Sequence, residues 1–186
     1  MAIIYSLQCA SRKESLSMII AVDVYYEENQ AKSVGVMFQS WEDSKPLEVI
    51  MSYTENPHEY EPGFFYKREL PCIQELLKLT DINQIHTIVV DGYVYLNNEK
   101  KPGLGHYVYT DFSEKIPVIG VAKTAFHDND AFVQKIYRGN SSKPLYITSI
   151  GMELAVAAGH IQRMYGEYRF PHLLKLLDKH TKEARL

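Results

Sequence analysis

The stretch from His86 to Leu96 constrains this chain more than any other. Ile88, Val89 and Val90 are consecutive β-branched residues, and a continuous apolar run of this kind suits a central strand covered on both faces. Asp91 then falls where the strand leaves the core, beside Gly92. A second strand, read over Met18 to Tyr26, carries Asp23 among residues that would otherwise be buried. An ionised carboxylate in such surroundings costs several kcal/mol unless a cation or a donor compensates it. Either aspartate alone reads as a strand-end turn or cap. Two of them on separate apolar strands point to a shared cation.

With 186 residues, 46% of them hydrophobic, the chain can bury one substantial core, and no stretch has the composition of a long linker. It reads as a single domain over residues 1–186. A formal net charge of −3 argues against holding nucleic acid by bulk electrostatics and leaves room for a local groove lined by Lys and Arg. Cys9 and Cys72 are too few for a disulfide framework and lie in no zinc-binding pattern, which fits a reducing cytoplasm. The opening residues Met1 to Tyr5 are too short an apolar run for a secretory signal, and no stretch reaches membrane-spanning length.

Taken in order, the strand at 18–26 is followed by a short polar connection and two further strands, at 31–38 and 46–53, whose spacing predicts an antiparallel meander. A loop bounded by Pro57, Pro62 and Gly63 leads to a helix over about 65–79, with Pro71 expected in its first turn and Glu69 near its N-terminus. The segment from Asn97 to His106 reads as a polar loop. Lys115 to Lys123 is a buried-type strand expected to pair in parallel with the Asp91 strand, and it delivers Lys123 to the same rim. Residues 131–137 and 143–150 flank a turn and read as a hairpin. Helices are expected over 152–165, with Glu153 in the first turn, and over 171–181.

Asp23, Glu69 and Asp91 lie on separate elements, and carboxylates from two strand ends and a helix start can converge on one or two Mg²⁺ ions. That set fits phosphodiester hydrolysis. Lys123 could place a point charge against a phosphate, and Tyr60 could stack on a base or cover the core.

Tyr60-Glu-Pro-Gly-Phe-Phe-Tyr-Lys-Arg-Glu69, Val90-Asp91-Gly92 and the segment from Pro117 to Lys123 together resemble the internal signatures of the endonuclease V family, in their order. The segments around Asp23, Pro144 and Tyr168 to Pro171 resemble its flanking regions. The resemblance implies an α/β fold of the ribonuclease H-like type, a mixed β-sheet flanked by helices. It implies Mg²⁺-dependent cleavage of a phosphodiester near a deaminated base, inosine above all, in DNA or RNA, with Mn²⁺ able to substitute. It makes Asp23 and Asp91 metal ligands, Glu69 a catalytic or metal-associated carboxylate and Lys123 a phosphate contact. Tyr60 and Pro62 would belong to a strand-separating wedge, and Gly63 and Gly92 would line the base pocket. The chain departs from the family pattern in three places. Met152 stands where a histidine is expected to join the metal site, which leaves Glu153 or water to complete it; a His-Pro-Arg segment after Asp91-Gly92 is missing; and Glu61 occupies an apolar position of the wedge. Two alternatives stay open: a catalytically weakened nucleic-acid-binding or partner-binding protein of the same fold, and a phosphatase acting on a small phosphoester.

Overall fold

The computed structural model describes residues 17–27, 29–55, 57, 65–112, 114–126 and 128–183. Tyr60, Glu61, Pro62 and Gly63 lie outside the described residues, so the wedge expected there has no structural account. Seven strands form one mixed sheet: β1 (Met18–Glu27), β2 (Gln30–Phe38), β3 (Glu48–Glu55), β4 (Ile85–Asp91), β5 (Val118–Ala122), β6 (Gln134–Ile136) and β7 (Leu145–Ile150). They lie in the order β3-β2-β1-β4-β5-β7-β6. The first three make the expected antiparallel meander, and β4 pairs in parallel with both β1 and β5. The expected hairpin is also present, as β6 pairs antiparallel with β7. Parallel partners of β4 explain its composition, because a strand with neighbours on both edges and helices on both faces has no side on which to place a polar residue.

Alternation along the strands sorts the core into two layers. Ile19, Ala21, Val89, Ile119 and Val121 point to the face covered by α3 (Leu154–Arg163) and α4 (His172–Lys182). Ile20, Val22, Ile88, Val90 and Val118 point to the opposite face, covered by α1 (Phe65–Leu77) and α2 (Leu104–Asp111). The period of two therefore carries Asp23, Asp91 and Lys123 to the α3/α4 face of three neighbouring parallel strands: Asp91 ends β4, Lys123 follows β5, and Asp23 lies within β1 where that strand runs on past its pairing with β4.

Three elements differ from the sequence expectation. Pro71 lies in the interior of α1, where it removes one backbone donor, and not in its first turn. The helix persists because Ile73, Leu76 and Leu77 are buried against the sheet, and tertiary packing outweighs one lost bond. The segment read as a loop around Gly103 starts α2 instead. Gly103 and Gly105 sit close against Tyr93 and Val94, and a Cβ on Gly103 would lie 2.4 Å from the Tyr93 carbonyl oxygen. These glycines serve close packing of a helix start and not loop freedom. Finally, Glu153 is the residue before α3 and makes no side-chain capping bond.

Candidate functional site

At the C-terminal end of β4, where β1 runs on beside it, ligand oxygens of Asp23, Asp91 and Asp178 all lie within 4.8 Å of one another. Two of these come from the strand ends read in the sequence. The third, Asp178, comes from α4, whose buried residues Leu173, Leu174, Leu177 and Thr181 turn one side of the helix toward the sheet. Asp178 lies four residues beyond Leu174 and three before Thr181, so it shares their face. The sequence carried a signal for it: an acid interrupting an apolar helical stripe, as Asp23 interrupts an apolar strand.

Each carboxylate is held. Asp23 accepts a hydrogen bond from the backbone N–H of Val24 at 2.9 Å and one from the Thr181 hydroxyl at 3.0 Å. Asp178 accepts from Lys123 at 2.9 Å and from Lys182 at 2.9 Å. Lys123 also lies 3.6 Å from Asp91, and its ammonium stands 4.3 Å from the centre of the Phe170 ring. The Lys123 carbonyl accepts from Arg169, which also donates to the Pro144 carbonyl, so the rim that carries Lys123 is tied to the α3–α4 connection.

The electrostatics are those of carboxylates gathered at an apolar boundary. Burial, and then the charge of Asp91, push the Asp23 carboxyl from 3.8 up to about 6. Asp91 is also raised, first by burial, although Lys123 opposes the shift. Burial acts to raise Asp178 as well, but its bonds to Lys182 and Lys123 outweigh it and hold this carboxyl below the ordinary range. Glu69 is 5% exposed, and burial together with the charges of Asp23 and Asp91 raises its carboxyl well above the usual value. It lies one turn into α1 and not in the first turn, so favourable interaction with the helix dipole does not explain it. Glu69 is outside the group of close ligand oxygens and acts on it through its field.

The donor set suits a hard divalent cation. All three close ligands are carboxylates, two of them are raised chiefly by burial, and carboxylate oxygens are the preferred partners of Mg²⁺ or Mn²⁺.

Glu153 and Met152 are elsewhere. Because β7 runs antiparallel to β5, with Val118 opposite Ile150 and Ala122 opposite Tyr146, the residues after β7 emerge beside the N-terminal end of β5. Asp91 lies beside Val121, towards the other end. The intervening strand spans on the order of 10 Å at ~3.3 Å per residue. Met152 packs against the α3/α4 core, and Glu153 is exposed. The expectation that Glu153 completes the acid group, or that Met152 weakens it, is therefore corrected: Asp178 occupies the third place.

Gly92 follows Asp91 with φ of +145°, a backbone geometry that favours glycine, and among the described residues nothing lies within 4 Å of where its Cβ would be. Gly120, on the neighbouring strand, is required for a different reason. A Cβ there would sit 2.4 Å from the Thr148 hydroxyl and 2.6 Å from the Gly92 carbonyl. The turn beyond Asp91 thus rests directly on β5.

The family model for endonuclease V matches residues 5–165. The chain belongs to the endonuclease V family. Endonuclease V of Pyrococcus abyssi is 30% identical over 173 residues, covering 90% of this chain and 80% of that protein. Endonuclease V of Bacillus thuringiensis is 31% identical over 115 residues, which span 60% of this chain and 47% of that protein. Among solved structures, Ciona intestinalis endonuclease V in complex with a 24mer DNA containing an inosine followed by a ribo-adenosine superposes with a TM-score of 0.72. That likeness has 17% identity and covers 89% of this chain and 84% of that one. The fold is accordingly the ribonuclease H-like mixed sheet of the endonuclease V family. Asp178 lies beyond the last residue matched by the family model.

No described helix is long and apolar enough to cross a membrane.

Proposed function

We propose that this chain is an endonuclease that hydrolyses a phosphodiester bond near a deaminated base, inosine above all, in DNA or RNA, with Mg²⁺ as its cofactor and Mn²⁺ able to substitute. The observation that carries the proposal is the group formed by Asp23, Asp91 and Asp178, with Lys123 bridging two of its members. Membership of the endonuclease V family supports the reaction class, and the Ciona intestinalis complex supports the substrate. In this reading one domain carries the activity.

Asp23, Asp91 and Asp178 would hold the cation. Bound there, it supplies polarisation of phosphoryl oxygens and a water of lowered pKa. Thr181 and the Val24 N–H orient the two oxygens of Asp23. Lys123 is a compact positive charge beside the acids, placed to meet a phosphate and to neutralise the charge that builds on it during hydrolysis. Glu69, its carboxyl raised well above the usual value by burial and by the charges of Asp23 and Asp91, can give or take a proton next to the group. Gly92 presents a backbone edge for an extruded base, and Tyr60, Pro62 and Gly63 supply the wedge by the match of their motif.

The test is cleavage of inosine-containing single-stranded DNA, duplex DNA and RNA, each with and without Mg²⁺, by wild type and Asp178→Asn. Mg²⁺-dependent incision by wild type and its loss in the variant support the reading. A protein inert at every Mg²⁺ and Mn²⁺ concentration that still binds oligonucleotide in EDTA is the weakened binder, and one that consumes mononucleotide but no oligonucleotide is a phosphatase.

A further inference from the structure

Beside the acid group, and continuous with it through Lys123 and Asp178, runs a groove of about 690 Å³ between the β6–β7 turn and the α3–α4 connection. Asn140 and Ser141 line one side, and Tyr168, Phe170 and Lys175 the other. The second wall is held firmly. Arg138, 4% exposed, donates to the carbonyls of Gln162, Met164, Gly166 and Tyr168, and Arg169 ties the same segment to Lys123 and Pro144. A segment fixed in this way nevertheless leaves Tyr168 69% exposed, with the Lys175 ammonium 5.0 Å from the centre of its ring. Tyr168 therefore covers no core. Its ring is presented by a rigid support, with the Lys175 cation over one face and the other face available, in a trough that reaches Asp178. Asp178 is neutralised by Lys123 and Lys182, so the acid left on this surface is Glu167, which is exposed at the rim.

We propose that this groove binds the single strand of nucleic acid running on from the scissile phosphate, with one base stacked on Tyr168 and a phosphate against Lys175. The proposal rests on the nuclease reading for the position of the scissile phosphate. The chemistry favours a single strand because a base inside a duplex is already stacked on both faces and cannot take a side-chain ring, and because a cation next to the stacking ring matches a polymer that alternates base and phosphate. A duplex would offer this trough phosphates alone.

The experiment measures binding of inosine-containing single-stranded DNA by fluorescence anisotropy in EDTA. One series of oligonucleotides is extended stepwise on the 5′ side of the inosine and another on the 3′ side. Wild type should gain affinity along one of the two series. Tyr168→Ala should lose about tenfold of that gain, the scale of one base–aromatic stack, with the salt dependence unchanged. Lys175→Ala should lower the slope of log affinity against log salt by about 0.7, the value for one phosphate contact on a single strand. Affinities that do not depend on length, or a loss in Tyr168→Ala as large for the shortest oligonucleotide as for the longest, overturn the groove. Cleavage by wild type with Mg²⁺ is scored separately, so that an absence of cleavage sinks the nuclease reading while the length-dependent loss in EDTA still reads the groove. Both side chains are exposed, and the melting temperature of each variant verifies its fold.

Discussion

Asp23→Asn should stabilise the metal-free protein while abolishing its response to Mg²⁺. In the folded state the Asp23 carboxyl sits at about 6 against 3.8 in an exposed chain. The folded protein thus binds this proton more tightly than the unfolded chain does, and stability falls as pH rises from 3.8 to about 6. Above that window the ionised side chain costs the fold about 3 kcal/mol. Asparagine has nearly the same shape and no charge, so it removes that cost. It loses one of the two bonds from Thr181 and Val24, worth about 1–2 kcal/mol. The net gain is about 1–2 kcal/mol, or about 2–8 °C in melting temperature for a chain of this size. The advantage should be small at pH 4, grow to about pH 6.5 and then level. Wild type, by contrast, should gain about 2.7 kcal/mol when Mg²⁺ is present at a hundredfold excess over its dissociation constant. Thermal melts of both proteins in EDTA and in graded Mg²⁺, across that pH range, decide the matter. A variant that melts below wild type in EDTA at pH 8, and still shifts upward with Mg²⁺, would refute the claim that Asp23 is a strained ligand waiting for a cation.

Further outcomes follow from the same geometry. Asp178→Asn should reduce Mg²⁺-dependent incision by orders of magnitude, whereas Glu153→Gln should leave it within about twofold, because Glu153 lies at the far end of the sheet; steady-state cleavage of an inosine oligonucleotide distinguishes them. Lys123→Ala should slow incision by about 10²-fold or more while leaving the fold intact, as read from single-turnover rates at saturating metal. Gly120→Ala should destabilise by about 1–3 kcal/mol, since its methyl group meets the Thr148 hydroxyl and the Gly92 carbonyl, and urea denaturation should show a lowered midpoint.

Much of this was legible in the residues. The β-branched run ending at Asp91 and the apolar strand around Asp23 announced both a parallel core and two acids, because burial on both faces leaves few compositions open and makes a carboxylate conspicuous. Lys123 followed from strand direction alone. Asp178 is the harder residue to read: it interrupts the apolar stripe of its helix, but a lone acid at a stripe's edge is ordinarily solvated, and the packing of α4 against the sheet is what shows it turned inward. Glu153 was misplaced for a related reason: strand direction is not printed in composition, and the antiparallel course of β7 puts its C-terminal end on the wrong side. Gly103 and Gly105 read as part of a polar loop because close packing and loop conformation call for the same residue.

The bond from Thr181 to Asp23 joins residues 158 positions apart. Forming it closes nearly the whole chain into a loop, and the entropy of that closure must be met before the contact gives anything back. The three aspartates therefore cannot assemble in a half-folded molecule: β1 and β4 can pair, but without α4 seated on them the third acid and the hydroxyl that orients the first are missing. Contacts of such long range form late in folding. Chemistry that would be hazardous if unleashed on nucleic acid by an incomplete chain is thereby deferred until the last helix has docked, and recovery of incision after refolding reports that docking directly.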